Sequence, residues 1–269
     1  MVNRAAPPGS MRYFSLLYTP AAKRVTVTAL YVVEAEMHQS ARSVSHDVAH
    51  TRLAWWRAEI DRLVNGSPQH PAMRALNVGD AQRRASFSKL HELAAAADMD
   101  LARMTYGNAQ ELRAYASRSG GAITELIASE LATPDTLDAD ARAQAVRIGT
   151  GVRQAEMLRD LRQDAYQGWL YAPLDELERQ GLTIAQLRAR ESDPRVKSLL
   201  QPWAARVRDE LAPIRGPDAD LLRPLNVLAA LHRRLLDRIA AHDYDVAAQR
   251  IELGPVEKPW VAWRAARVR

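Results

Sequence analysis

Two aspartates four residues apart, Asp160 and Asp164 in the run RDLRQDAYQGWLYAP, are the side chains in this sequence whose type and spacing best suit chemistry. Alanine, leucine and methionine spacing around them marks a helix, and on a helix an i, i+4 pair projects from one face. Two carboxylates so placed can hold Mg²⁺, which takes one or two protein carboxylates and fills its remaining positions with water and phosphate oxygens. The same spacing allows a solvated acidic face in which Arg159 and Arg162 pair with the aspartates. Gly168 ends the helix, Tyr171 and Pro173 begin a turn, and residues 174–180 read as one short helix closed by Gly181.

The elements that must position this pair are helical. Alanine and leucine are abundant, only two Phe occur, and glycines gather at a few breaks instead of recurring at hairpin spacing. No stretch alternates with period two and no internal repeat is present. A chain of 269 residues is long enough for one large core, so a single domain over residues 12–269 is expected behind a disordered leader over residues 1–11. With no cysteine, disulfides, thiolate zinc sites and cysteine nucleophiles are excluded. The first ten residues lack the apolar run of a secretory signal, and no segment reaches the roughly 20 apolar residues of a membrane span, so a soluble, cytoplasmic protein is expected. A net charge of +5 admits anionic lipid, nucleic acid or diphosphate as a partner.

The succession RDLRQDAYQGWLYAPLDELERQGL resembles the second aspartate-rich motif of the squalene/phytoene synthase family, the head-to-head all-α prenyltransferases. The segment LAWWRAEIDRLVNGSPQHP is similar to bacterial members, and the likeness covers about residues 12–266. It implies an isoprenoid synthase-type helical bundle of ten or so helices around a central cavity, with isoprenoid diphosphate (farnesyl or geranylgeranyl) and Mg²⁺ as ligands and no nucleic acid as partner. Asp160 and Asp164 would hold the metal, Arg159 would contact the diphosphate, and Tyr171 would line the pocket. Tyr115 precedes Gly120 and Gly121 at spacings similar to the family's tyrosine and V-A-G-x-V-G segment. Those glycines either leave room for a prenyl chain or mark a close helix crossing.

The facing element is a helix opening after Pro20, with Val25, Ala29, Val32, Val33 and Met37 directed to a core. In the family it ends in the first acidic motif, shortly after A-L-Y. Here Ala29, Leu30 and Tyr31 are present, but His38, Gln39 and Arg42 fill the acidic positions. The family's chemistry neutralises a diphosphate leaving group with metal held between two facing aspartate motifs. Losing one cluster argues against standard head-to-head condensation and frees Arg42 to contact a phosphate directly. The family's Gln and Asn upstream of the second motif align with Arg153 and Glu156, and its arginine after the glycine with Trp169. Two functions follow. One is a prenyltransferase-like protein. The other is a non-catalytic scaffold, because the VEAEMHQSARSVSHDVAHTRLAWW run resembles family members that serve as assembly factors for respiratory complex I.

Elsewhere the pattern reads as structure. His46 and His50 lie i, i+4, but Ser43 or Ser45 as a cap with Asp47 in the first turn reads as an ordinary helix start. Leu53, Trp56, Ile60 and Leu63 form a buried stripe, stopped by Asn65 and Gly66. Residues 83–106 make a helix of mixed face with no evident chemistry. A helix follows Pro194 with a kink expected at Pro202, and Leu228, Leu231 and Leu235 share one face. The tail PWVAWRAARVR reads as a fraying terminus or as a short amphipathic helix on an anionic membrane surface, a peripheral contact at the inner membrane.

Overall fold

The computed structural model describes residues 5–132, 137–191 and 193–267. The first four residues of the expected leader, and Val268 and Arg269 of the tail, lie outside them. Among the described residues there are helices and turns and no strand, as the missing period-two pattern requires. Fifteen α-helices with bounds inside the described residues replace the ten or so expected, because short ones flank the long ones.

The first are α1 (Met11–Leu17), α2 (Arg24–Ala41), α3 (His46–Val64), α4 (Pro71–Leu76), α5 (Ala81–Ser86) and α6 (Leu90–Leu101). Next come α7 (Ala109–Ala116), α8 (Ala122–Leu131), α9 (Ala139–Arg159), α10 (Leu161–Gln167), α11 (Leu174–Arg179) and α12 (Ile184–Arg188). The last are α13 (Pro194–Glu210), α14 (Arg223–Ala241) and α15 (Glu257–Ala265).

Local chemistry sets most of these boundaries. Ser10, Ser45, Asp80, Asn108 and Asp193 each accept a backbone N–H at the start of the helix they precede. Pro71 and Pro194 open their helices, where a missing N–H costs nothing. Gly168 closes α10 at φ +95°, a left-handed turn that an L side chain adopts only with strain. Helix α13 continues through Pro202 to Glu210.

One apolar core joins nearly all of the helices. Helix α9 is its axis and packs on α7, α8, α13 and α14. Helix α2 packs on α3, α4, α6 and α8. Ala29, Val32, Val33 and Met37 of α2 are buried as expected, whereas Val25, the second residue of the helix, faces solvent. Between α7 and α8 the chain makes a π-turn at Ser117–Gly121, a local insertion often found at functional sites. Its Gly120 meets Gly149 of α9 so closely that a Cβ on either would lie 2.2 Å from the other's carbonyl oxygen. Of the two readings of Gly120, the close helix crossing is therefore the one observed.

The ends of the chain depart from expectation. Within the expected leader, Ala5 and Ala6 are buried in the core and Ser10 caps α1. The tail forms α15, which packs on α14 and α1 and buries Val261 and Ala262. It leaves Trp260 and Trp263 half exposed, with Arg264 and Arg267 stacked over them. No helix among the described residues is long and apolar enough to cross a membrane.

Candidate functional site

Asp160 and Asp164 do not share one unbroken helix. Asp160 sits at the break between α9 and α10, and the backbone N–H of Asp164 donates to its carbonyl at 2.9 Å. Both side chains nevertheless line one pocket of about 370 Å³, together with residues of α1, α2, α9 and α14. Helix α2 does form the facing wall, and the cation expected there reaches across. Arg42 Nη2 donates to Asp164 Oδ1 at 2.9 Å and to the Tyr171 hydroxyl at 3.3 Å, and its guanidinium stacks on Trp169. Asp160 is held from two sides. Arg159 Nε donates to it at 3.0 Å and Arg250, from the segment after α14, at 2.7 Å. Arg162, the other arginine considered for the aspartates, instead donates to the Arg188 and Ala189 carbonyls.

Beneath this layer lies a network centred on Asp100, in the stretch where no chemistry was expected. Residues 83–106 are not one helix: α5 and a 3₁₀ turn precede α6, and Asp100 stands at the C-terminal end of α6, 2% exposed. Its Oδ1 accepts from the hydroxyls of Tyr115 and Tyr171, each at 2.7 Å, and its Oδ2 lies 3.2 Å from His38 Nδ1. Arg153 Nη2 donates to the same two hydroxyls at 3.0 and 3.3 Å. Trp169 Nε1 donates to the Asp100 carbonyl oxygen at 2.8 Å. Tyr115 and Tyr171, expected against the ligand, thus meet beneath the pocket through a buried carboxylate and a guanidinium.

The electrostatics follow from burial. Burial opposes the charge on Asp100, yet the facing His38, Arg153 and Tyr115 hold its carboxyl well below the usual carboxylate range. Burial pushes the Asp164 carboxyl up, against the pull of Arg42 and Arg153. Asp160 goes down because Arg159 and Arg250 outweigh its burial. His38 and His232 are both lowered by burial, His232 to about 4, so both imidazoles are neutral near pH 7.

Four carboxylates (Glu34, Glu156, Asp160 and Asp164) and four guanidiniums (Arg12, Arg42, Arg153 and Arg159) line the pocket, so their formal charges cancel. Among the described residues, no three Asp, Glu or His side chains converge on one point. Both oxygens of Asp160 already accept from two guanidiniums, and Asp164 Oδ1 from a third. As arranged, these donors do not fit a resident Mg²⁺.

Sequence reasoning had aligned Arg153 and Trp169 as departures without giving them roles. Arg153 lies seven residues before Asp160 on α9, two helical turns along one face, which was the available signal. Asp100 and Arg250 carried none. His46 and His50 touch each other at 3.0 Å on the exposed side of α3, and Ser45 is the cap.

An all-α bundle with a charged pocket where its long central helices meet is an isoprenoid synthase-like architecture. Solved structures share it: a dehydrosqualene synthase in complex with ligand matches with a TM-score of 0.78 at 16% identity, covering 94% of this chain and 89% of that one. A squalene synthase from Alicyclobacillus acidocaldarius matches at 0.69 and 20% identity, covering 86% and 88%. In sequence, residues 6–257 match the squalene/phytoene synthase family. A 15-cis-phytoene synthase from Synechocystis is 26% identical over 279 residues, covering 95% of this chain and 81% of the relative. A phytoene synthase from Mycobacterium tuberculosis is 28% identical over 260 residues, covering 93% and 84%. The chain belongs to the squalene/phytoene synthase family.

Proposed function

We propose that this protein binds an isoprenoid diphosphate of the farnesyl or geranylgeranyl class, with the diphosphate in the pocket between α2, α9 and α10, and does not carry out standard head-to-head condensation. The observation that carries this reading is the convergence of Arg12, Arg42, Arg153 and Arg159 on one pocket of a family fold. Guanidiniums recognise phosphate oxygens bidentately, and Tyr115 and Tyr171 fix the guanidinium of Arg153. The argument against condensation is chemical. Ionising an allylic diphosphate needs concentrated positive charge on the leaving group, which the family supplies with metal ions held by carboxylates, and the facing wall brings His38, Arg42 and one carboxylate, Glu34, already bonded by Arg12. A pocket near 370 Å³ is also at the small end for ligand sites, which suits one prenyl diphosphate better than two.

The family typically depends on a divalent metal for its prenyl diphosphates. Mg²⁺ on Asp160 and Asp164 is how the resemblance would have the ligand held, and the arginine partners of both carboxylates count against it. Thermal unfolding with farnesyl S-thiolodiphosphate and with farnesol tests the reading. Only the diphosphate should raise the unfolding temperature, because a ligand that binds the native state stabilises it by mass action. If neither compound does so, the non-catalytic scaffold, a role like that of the respiratory-complex assembly factors, becomes the better account. The neutral and cationic residues His38, Gln39 and Arg42 in the place of the first acidic motif favour it.

We also infer a peripheral contact of this protein with an anionic membrane through α15. Trp260 and Trp263 beside Arg264 and Arg267 combine interfacial aromatic and cationic groups. Equal sedimentation with anionic and neutral vesicles would contradict it.

A further inference from the structure

We propose that guanidinium groups replace the divalent metal in this pocket, so that a diphosphate binds without any cation by displacing the carboxylates that now occupy the arginines. This rests on the isoprenoid diphosphate reading and assigns how the site holds its ligand. Each pocket carboxylate stands where a phosphate oxygen would be wanted. Asp164 sits on Arg42, and Asp160 on Arg159 and Arg250. Glu34 sits on Arg12 at 3.0 Å. Glu156 lies 3.8 Å from Arg12 and 3.9 Å from Arg153, within Coulomb range of both but too far for a direct hydrogen bond to either.

The arginines are under-used in this state. Arg42 Nε is buried without a hydrogen-bond partner, although its terminal nitrogen is bonded. Arg153 spends Nη2 on two tyrosine hydroxyls, and its Nη1 has only the distant Glu156. A diphosphate offers these forks more acceptor oxygens and more negative charge than a single carboxylate, and pairs of its oxygens accept bidentately from a planar guanidinium. The displaced carboxylates have other recourse. Burial raises the Glu34 carboxyl, which eases its taking up a proton when Arg12 is drawn away. Asp160 and Glu156 border the pocket without being fully buried.

The two ways of holding a diphosphate predict opposite signs for one substitution. If Asp164 is a metal ligand, Asp164→Asn weakens binding. If it is a competitor for Arg42, the same change removes a rival charge and tightens binding, by about threefold or more for a partly buried ion pair. The experiment is calorimetric titration of the full chain with farnesyl S-thiolodiphosphate, once in Mg²⁺ and once in EDTA, for the parent and Asp164→Asn. The paired variant Arg42→Met/Asp164→Asn removes both charges without leaving one buried and alone, and should lose about tenfold or more in affinity.

Binding in EDTA within about twofold of that in Mg²⁺, with the Asp164→Asn increase, supports the inference. Binding in Mg²⁺ that vanishes in EDTA and in Asp164→Asn overturns it, while the diphosphate reading stands. Metal-free binding without the increase overturns displacement. Heat in neither buffer overturns the diphosphate reading and this inference with it.

Discussion

At the scale of single residues, Asp100 is the charge around which the floor of the pocket is built. It serves Tyr115, Tyr171 and His38 directly and faces Arg153, whose own guanidinium is anchored by the same hydroxyls. Asp100→Asn removes one of the two carboxylates within 4 Å of Arg153, the other being Glu156 at 3.9 Å. Breaking a buried pair in this way costs on the order of 3–5 kcal/mol, so the urea midpoint should fall markedly. A loss as small as that of a surface substitution would mean that Arg153 is compensated elsewhere. Asp100 closes an alanine-rich stretch whose single-sequence pattern has no chemical signal, and only the packing of α6 against α2 and the π-turn reveals its partners. Arg42 was legible, because a cation in the place of an acidic motif says that something anionic faces it. That its partner is Asp164 depends on how α2 and α10 are set, which no local spacing reports.

At the scale of elements, α14 carries the clearest dependence on pH. His232 is buried on it, with Nδ1 on the Leu228 carbonyl and Nε2 without a partner, and it faces Glu156, Arg159 and Arg12. Burial lowers it from 6.5 to about 4, so the folded state prefers the neutral ring. A depressed folded value means stability that is complete above the unfolded value and is lost as pH falls from about 6.5 to 4. The loss should reach about 3 kcal/mol. His232→Leu should flatten that part of the profile in urea unfolding between pH 7 and pH 4. An identical loss in parent and variant would assign the pH dependence to the carboxylates instead.

The same scale separates what the sequence could tell from what it could not. Caps and breaks are local, so Ser45, Pro71, Gly168, Gly181 and Pro194 fall where they were read. The break at Asp160 was invisible because its neighbours keep helical spacing. The burial of Ala5 and Ala6 was invisible because a small apolar pair beside prolines resembles a leader.

At the scale of the whole molecule, the bundle is that of the squalene/phytoene synthase family, and its pocket is lined by four carboxylates and four guanidiniums. Helix α9 supplies Arg153, Glu156 and Arg159, α2 and its C-cap supply Glu34, His38 and Arg42, and the turn after α10 supplies Trp169 and Tyr171. These meet only because Gly120 and Gly149 let the α9 backbone approach the π-turn. The most direct measurement is a crystal structure of the chain grown with farnesyl S-thiolodiphosphate and Mg²⁺ both present. The account predicts diphosphate oxygens within about 3 Å of the guanidiniums of Arg42, Arg153 and Arg159, with Asp164 withdrawn from Arg42. A diphosphate bridged to Asp160 and Asp164 through metal ions, or seated outside this pocket, would contradict it.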